Sequence, residues 1–152
     1  MTLEEIQKRL KAIEDAEAIK NMHNDYLFLL NNQQWREMAE CFTENATANI
    51  HEPVRGKKAI LKLFTDVIAK KNAGKGRDAH FAVQPVVEVD GDRARGHWLI
   101  YIFIADPVTG KAQRWVQGRY DCEYVKEGGK WKFSALNYTS PWPPTENTAP
   151  GH

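Results

Sequence analysis

His80 is the side chain in this sequence whose chemistry best suits catalysis. Imidazole titrates near neutral pH, so a histidine can take up or release a proton under physiological conditions. His80 lies near the start of a strand-like segment, where it could point into the mouth of a pocket and act as a general base or acid. The alternative is a histidine at the end of a sheet whose ring is satisfied by a backbone carbonyl or by Asp78.

Tyr26 and Asn31 are the candidate helpers of His80, because both lie towards the end of the same helical stretch. Tyr26 could donate a hydrogen bond to a substrate oxygen, and Asn31 could orient water or substrate. The simpler interpretations are a core tyrosine with its hydroxyl at the rim and an asparagine helix cap, and for Asn31 the cap is favoured. His23 and Asp25 are out of phase with the apolar stripe of this helix, so both are predicted to face solvent.

Several other kinds of site are not indicated. The sequence contains no nucleophile elbow, P-loop, dinucleotide fingerprint or zinc-protease helix. His51 and His97 have no second ligand at a useful spacing, so we expect no metal. Cys41 and Cys122 are too few and too far apart for a disulfide framework.

Composition limits the partners and the compartment. The net charge of +1 gives no basic stripe, so we expect no binding to nucleic acid. The longest apolar run, residues 98–105, is far shorter than a membrane span, and the charged, helical start does not look like a signal peptide. We therefore expect a cytoplasmic protein that does not bind membranes.

The elements that must position these side chains are readable from periodicity. A capping box of Thr2 and Glu5 opens a long helical stretch that ends at Asn31, with a shift of phase near residues 15–17. A second short helix carries Trp35, Met38, Ala39 and Phe42 on one face. A short strand over residues 47–51, a loop over 53–56 and an amphipathic helix over 57–71 follow.

From residue 79 to 140 the pattern alternates as in strands, with turns at residues 90–92, 106–110 and 127–129. Four strands joined by three tight turns make an antiparallel meander, and helices that precede the sheet predict an α+β fold. Pro85 implies an edge or a bulge in the first of these strands. We predict one domain over residues 1–140 and a proline-rich tail over 141–152.

One face of the meander is predicted to line a mostly apolar pocket. Its candidate substrate-binding residues are Trp98, Ile102, Tyr120, Cys122 and Tyr124, together with Asn137 on the last strand. Asn137 and Tyr138 point to opposite faces, so at most one of them reaches the pocket. Cys122 is interpreted as an inert hydrophobic residue rather than a nucleophile.

The opposite face carries a row of His97, Leu99, Tyr101 and Phe103, which is too apolar for solvent. This row predicts a homo-oligomer, a dimer or trimer, formed through the sheet.

The order of these elements, with several local patterns, resembles the SnoaL-like, nuclear transport factor 2-like group over residues 10–140. The patterns that carry the resemblance are Ala18-Ile19-Lys20 before Tyr26 and Trp35, Gly56-Lys57-Lys58-Ala59-Ile60, His80 with Pro85, and Gly118-Arg119-Tyr120 before Gly129-Lys130-Trp131-Lys132-Phe133. The resemblance implies a cone-shaped α+β barrel in which N-terminal helices pack on a strongly curved antiparallel meander. The most similar branch holds scytalone dehydratase, bile-acid 7α-dehydratase and the lindane dehydrochlorinase.

Enzymes of that branch are cofactor-free lyases that use a His–Asp pair, and the resemblance places His80 at the position of their histidine and Tyr26 at a pocket tyrosine. Asn31 stands where their aspartate is expected, and Ile102 replaces a further acidic residue. We therefore expect a cofactor-independent lyase or isomerase, dehydratase-like, that acts on a small hydrophobic cyclic substrate with His80 as general base. The alternative is a non-catalytic small-molecule-binding or interaction protein that uses the same pocket.

Overall fold

The computed structural model of the chain describes residues 1–71, 78–106 and 108–140. The predicted tail over residues 141–152 lies outside this described part. None of the helices in the described part combines the length and the apolar composition that a membrane span requires.

The chain opens with one long helix, α1 (Leu3–Asn31). The capping box is present: the Thr2 hydroxyl accepts from the Glu5 amide at 3.1 Å, and the Thr2 amide donates to the Glu5 carboxylate at 2.6 Å. The helix continues through residues 15–17, because no glycine or proline interrupts it there. The shift of phase in the apolar pattern therefore marks a change of environment along one helix, not a break.

Two shorter helical segments follow. Helix α2 (Trp35–Ala39) ends before Phe42, which belongs to the first strand, so the prediction that Phe42 lies on this helix is wrong. The amphipathic helix predicted over residues 57–71 is confirmed, as α3 (Lys57–Lys62), a π-helical stretch (Leu63–Ile68) and α4 (Ala69–Lys71).

Six strands form one mixed, curved sheet. They are β1 (Phe42–Asn49), β2 (Pro53–Arg55), β3 (Ala79–Asp90), β4 (Arg93–Ala105), β5 (Ala112–Glu127) and β6 (Lys130–Thr139), in the order β2-β1-β6-β5-β4-β3. The four-stranded antiparallel meander is confirmed as β3 to β6, and β1 adds to it parallel to β6.

The start of the sheet differs from the prediction in two places. Strand β1 begins at Phe42, five residues before the predicted start, because Phe42 pairs with Phe133 and the Phe133 amide donates to the Cys41 carbonyl at 2.8 Å. The segment predicted as a loop over residues 53–56 contains β2, an edge strand. Pro53 is tolerated at its first position because an edge strand can do without that amide donor.

Strand β3 carries the irregularity that Pro85 implies. Gln84 has a φ of 53°, and the pairing with β4 shifts between Val83 and Val86. The shift exchanges the two faces of the strand: His80 pairs with Ile102 before it, and Val87 pairs with Gly96 after it. His80 and Val87 therefore point to the same, inner face although their numbers differ in parity.

The core lies between α1 and this inner face. Ile19, Tyr26 and Leu30 of the helix are at most 5% exposed, as are Trp98 and Phe133 of the sheet. The part of α1 that packs on the sheet therefore begins at Asp15, the first buried residue of the helix.

Candidate functional site

Asn31 and His80 are joined by a three-point contact between the end of α1 and the start of β3. The Asn31 side-chain carbonyl oxygen, Oδ1, accepts from the His80 backbone amide at 2.8 Å, and Asn31 Nδ2 donates to the His80 carbonyl at 2.9 Å. Because a backbone N–H can only donate and a C=O can only accept, these two bonds fix which end of the amide is which.

The third contact sets the protonation of the ring. His80 Nδ1 lies 3.0 Å from Asn31 Oδ1, an acceptor, so Nδ1 carries the proton. In a neutral imidazole the other nitrogen then keeps its lone pair. His80 is therefore held with Nε2 as a proton acceptor, the form that a general base requires.

The favoured interpretation of Asn31 as the helix cap is wrong. Asn32 is the C-cap residue, and its backbone amide and its side chain both donate to the Phe28 carbonyl, at 3.0 and 2.8 Å. This leaves the Asn31 side chain free to reach across to the sheet.

The environment of His80 keeps its ring neutral. Burial lowers the pKa of His80 to about 4, against an opposing effect of nearby Asp78. The ring does not rely on Asp78 for its hydrogen bond, because Asn31 supplies it and the Asp78 carboxylate accepts from the Ala105 amide at 3.0 Å. An amide partner carries no charge, so it orients the ring without raising its basicity.

A second histidine, His23, lies in the centre of the core, and the prediction that it faces solvent is wrong. It is fully buried, and its ring lies 4.2 Å from the Trp98 ring and 5.2 Å from that of Phe133. The stripe of α1 is wider than the leucine and methionine positions alone, and His23 lies one turn before the buried Tyr26. That spacing was the signal available in the sequence. Asp25 is exposed, as predicted.

The hydrogen-bond partners of His23 favour the opposite tautomer to that of His80. Trp98 Nε1 donates to the Tyr124 hydroxyl at 3.0 Å, and that hydroxyl lies 3.1 Å from His23 Nδ1. The indole can only donate, and imidazole nitrogen is a far better acceptor than the nearby Cys122 sulfur, so Tyr124 donates to Nδ1. His23 therefore carries its proton on Nε2.

Two polar atoms in this region are buried without a hydrogen-bond partner in the described part of the chain: His23 Nε2 and the Tyr26 hydroxyl. Burial lowers the pKa of His23 to about 3, so its ring stays neutral. Burial, and after it the neighbouring Tyr120 hydroxyl, raises the pKa of Tyr26 well above 10. A buried donor without an acceptor costs about 1–3 kcal/mol, so both groups are unusual inside a packed core.

The remaining predicted lining residues divide between the two faces of the sheet. Trp98, Tyr120, Cys122 and Tyr124 lie on the inner face and are at most 3% exposed. Ile102 is half-buried on the same face and pairs with His80. Asn137 pairs with Asp121 and lies with it on the outer face, away from His80 and Tyr26.

The Cys122 thiol has the inert character that the sequence indicated. Burial raises its pKa to about 12, so it stays protonated and is a poor nucleophile at neutral pH.

Two grooves lie on the outer face of the sheet, with volumes of about 730 and 330 Å³. They share Glu88, Arg95 and Glu123, and neither of them includes His80 or Tyr26. An apolar pocket around His80 therefore stays a prediction. Within residues 1–71, 78–106 and 108–140, no three His, Cys, Asp or Glu side chains are grouped so that they could hold a metal ion.

Comparison with known families identifies the fold that holds these residues. The model of the SnoaL-like domain matches residues 11–137, which is most of the chain. The chain belongs to the SnoaL-like domain family. No protein with a curated description matches this SnoaL-like chain in sequence.

Solved structures agree with this assignment. A nuclear transport factor 2-like protein with a cystatin-like fold from Novosphingobium aromaticivorans superposes with a TM-score of 0.76 at 20% identity, covering 97% of this chain and 93% of that one. Hexachlorocyclohexane dehydrochlorinase LinA-type3 from Novosphingobium barchaimii gives 0.75 at 22%, covering 88% and 91%. A single-residue variant of Rv3472, a protein of unknown function from Mycobacterium tuberculosis, gives 0.71 at 21%, covering 87% and 79%. The α+β cone of the SnoaL-like fold is confirmed.

Proposed function

We propose that this SnoaL-like protein is a cofactor-independent lyase or isomerase, dehydratase-like, in which His80 is the general base. The contact between Asn31 and His80 is the observation that carries the proposal. It fixes the ring with Nδ1 protonated and leaves Nε2 with a free lone pair.

The proposed reaction begins with removal of a proton from carbon next to a carbonyl group. His80 Nε2 takes the proton, and the electron pair of the C–H bond moves towards the carbonyl oxygen. In a dehydration the pair then forms the new C=C bond as a neighbouring hydroxyl group leaves, and this hydroxyl takes the proton from His80 to form water. In an isomerisation the proton returns at another carbon.

The charge that develops on the carbonyl oxygen needs hydrogen-bond donors. Tyr26 was predicted from the sequence to donate to such an oxygen, and we propose His23 Nε2–H as a second donor. Both are buried, both lack a partner in the described residues, and they lie one helical turn apart. Donors that are in place before the reaction stabilise an oxyanion strongly in a buried site.

A small hydrophobic cyclic molecule is the proposed substrate class. The inner face of the sheet carries the buried rings of Trp98 and Tyr120 and the half-buried side chain of Ile102, and apolar side chains of this kind suit an apolar ring. The two unpartnered donors add the requirement that the ring carries an oxygen atom.

A second function is favoured by a different observation, the neutral partner of His80. An asparagine cannot raise the basicity of the ring, and burial lowers the His80 pKa to about 4. Both effects weaken a base, so the alternative proposal is a non-catalytic protein that binds an apolar ligand or a partner through the same region.

Turnover of a panel of hydroxylated ring ketones by wild type and His80→Ala separates the two functions. Loss of about 10²–10⁴-fold in kcat/KM is expected for His80→Ala if His80 is the base. His51→Ala, which changes an exposed histidine between β1 and β2 and outside the apolar row, is the matched control and should keep full activity. Equal rates for wild type and His80→Ala would end the catalytic proposal, and binding without turnover would favour the alternative.

We also propose that copies of the chain associate through the outer face of β3 and β4, as the apolar row predicts. Phe81 and Phe103 are 52% and 42% exposed, and their rings contact each other at 5.6 Å. Phe81→Glu should lower the mass in solution to that of a smaller assembly, whereas an unchanged mass would contradict this contact.

A further inference from the structure

The first part of α1 extends from the domain without packing on it. Residues 3–14, which we call the arm, are all exposed, although they belong to a continuous helix. Four large apolar side chains follow one side of the arm, namely Leu3, Ile6, Leu10 and Ile13, which are 71%, 44%, 52% and 67% exposed. A helix face of this kind needs a partner to bury it.

The spacing of these four residues specifies another helix as that partner. Steps of three, four and three residues place Leu3 and Leu10 at position a and Ile6 and Ile13 at position d of a heptad. Such a seam packs into the holes of an identical helix, and the next position a is Glu17, where the seam ends.

The attachment of the arm leaves the seam accessible. Asp15 is buried, and its carboxylate accepts from Lys126 at 2.7 Å, from Trp131 Nε1 at 2.9 Å and from Lys11 at 2.7 Å. Burial opposes ionisation, but these bonds hold the pKa of Asp15 well below its usual range. Asp15 occupies position f, opposite to a and d, so the domain lies behind the seam and does not obstruct a partner.

The charges beside the seam favour parallel helices. Arg9 is at position g and Glu14 at the following e, which is the pair that meets between two parallel helices. The arm carries three acidic residues (Glu4, Glu5, Glu14) and three basic ones (Lys8, Arg9, Lys11). This balance differs from the basic face of a helix that lies on a membrane.

The arm is also already helical. The capping box at Thr2 and the anchor at Asp15 hold both of its ends, so association does not have to meet the cost of nucleating a helix. Leucine at a with isoleucine at d favours bundles of more than two strands. Two heptads bury less than the roughly 800 Å² per partner of a standard interface, so we expect the assembly to dissociate on dilution.

We propose that the arm binds the arms of other copies of this chain in a parallel helical bundle. This contact is separate from the outer face of the sheet and does not depend on the proposed activity. It brings the N-terminal ends of the domains together and leaves the His80 region, which contacts Asn31 about four turns further along α1 than Asp15, outside the bundle.

Mass in solution tests the association. We expect wild type to exceed the 17.4 kDa of a single chain and its mass to rise with concentration. Ile6→Lys combined with Leu10→Lys should lower the mass while the melting temperature stays unchanged, because neither side chain packs on the domain. Lys8→Gln, at position f of the same arm, is the matched control. The proposal is overturned by an unchanged mass in the double variant, or by a wild-type monomer that binds anionic vesicles instead.

Crosslinking tests the parallel arrangement directly. Under oxidation, Leu3→Cys should form a disulfide between copies, since equivalent a positions meet only in parallel helices, and Lys8→Cys on the outer side should not. Wild type, with Cys41 and Cys122 alone, gives the background. Arg9→Glu and Glu14→Arg should each weaken association by about two- to fivefold, and the double exchange should restore it. Equal crosslinking of the two cysteine variants, or no rescue by the double exchange, would overturn the parallel bundle.

Discussion

His80 and His23 are both neutral histidines in one small domain, yet their neighbours hold them in opposite tautomers. His80 lies half-buried at the end of the sheet, where the Asn31 carbonyl oxygen accepts its Nδ1 proton at 3.0 Å. His23 lies fully buried, where the Tyr124 hydroxyl is 3.1 Å from Nδ1, and donation from Trp98 to this hydroxyl favours donation from the hydroxyl to Nδ1. The first ring therefore presents a lone pair on Nε2, and the second presents a proton there.

This difference in tautomer suits the two histidines to different chemical roles. A free lone pair suits proton removal, and a fixed N–H suits stabilisation of a negative oxygen. In each case one neighbouring group sets the tautomer. For His80 it is the Asn31 amide, which the backbone of residue 80 orients, and for His23 it is the Tyr124 hydroxyl, which the Trp98 indole orients.

Replacement by glutamine should separate the two roles most strongly. A glutamine amide can donate a hydrogen bond but cannot take up a proton at neutral pH. We therefore expect His80→Gln to lose about 10²–10⁴-fold in kcat/KM, as a missing general base does. His23→Phe, which cannot donate a hydrogen bond, should lose about 10²-fold in kcat/KM. His23→Gln, which still can, should keep most of the wild-type kcat/KM.

Steady-state rates on the hydroxylated ring ketone that wild type turns over best provide the measurement. Similar losses for His23→Gln and His23→Phe would show that donation from position 23 does not contribute.

Acid should destabilise the fold through both histidines. Each has a folded-state pKa, about 4 for His80 and about 3 for His23, below its value in the unfolded chain. The unfolded chain therefore binds more protons below pH 6.5, and stability falls as the pH is lowered. We expect a loss of about 2 kcal/mol per histidine between pH 6.5 and 4.5.

Urea unfolding at several pH values checks this slope. His23→Phe should have about half of the wild-type slope, because one of the two buried histidines is then absent. A pH-independent stability over this range would contradict the burial of both rings.

Tyr124→Phe tests the group that sets the His23 tautomer. The change leaves Trp98 Nε1–H and His23 Nδ1 without their partner inside the core. We expect the free energy of unfolding to fall by about 3 kcal/mol, measured by urea denaturation. Tyr138→Phe, which removes a hydroxyl from a half-buried tyrosine, should cost less than about 1 kcal/mol. Equal costs would mean that Tyr124 does not connect the indole to the imidazole.

Asn31→Asp should convert His80 into a stronger base at a modest cost in stability. A carboxylate raises the pKa of a neighbouring imidazole, which the present amide does not do. It also places an oxygen in the position of Nδ2, 2.9 Å from the His80 carbonyl, so we expect stability to fall by about 1–2 kcal/mol. NMR titration gives the pKa of His80, and an unchanged value would contradict the contact.

Much of the fold could be predicted from the sequence because its signals are local. The capping box at Thr2, the turns of the meander and the bulge at Pro85 each depend on a few adjacent residues. Strand β1 was misplaced because its start is set by pairing with β6, about ninety residues away, and no local pattern encodes that partner.

The candidate site was predictable only in part, for the same reason. Residue type and resemblance select His80 and Tyr26 as candidates, and the resemblance places Asn31 where the aspartate partner of the histidine is expected. The prediction from helix phase that His23 faces solvent is wrong. A histidine is accepted in a core only when another group satisfies its ring nitrogen, and the group that does so, the Tyr124 hydroxyl, is 101 residues away in the sequence. The side of the sheet on which Asn137 lies depends on the register shift in β5 and β6 between Glu123 and Tyr124.

The tautomers of the two rings can be read directly from a long-range ¹H–¹⁵N correlation spectrum of the histidine side chains at pH 7. We predict that His80 carries its proton on Nδ1 and His23 carries its proton on Nε2, with His80→Ala and His23→Phe assigning the signals. A His80 ring protonated on Nε2 would contradict the central claim, because it would have no lone pair to offer a substrate.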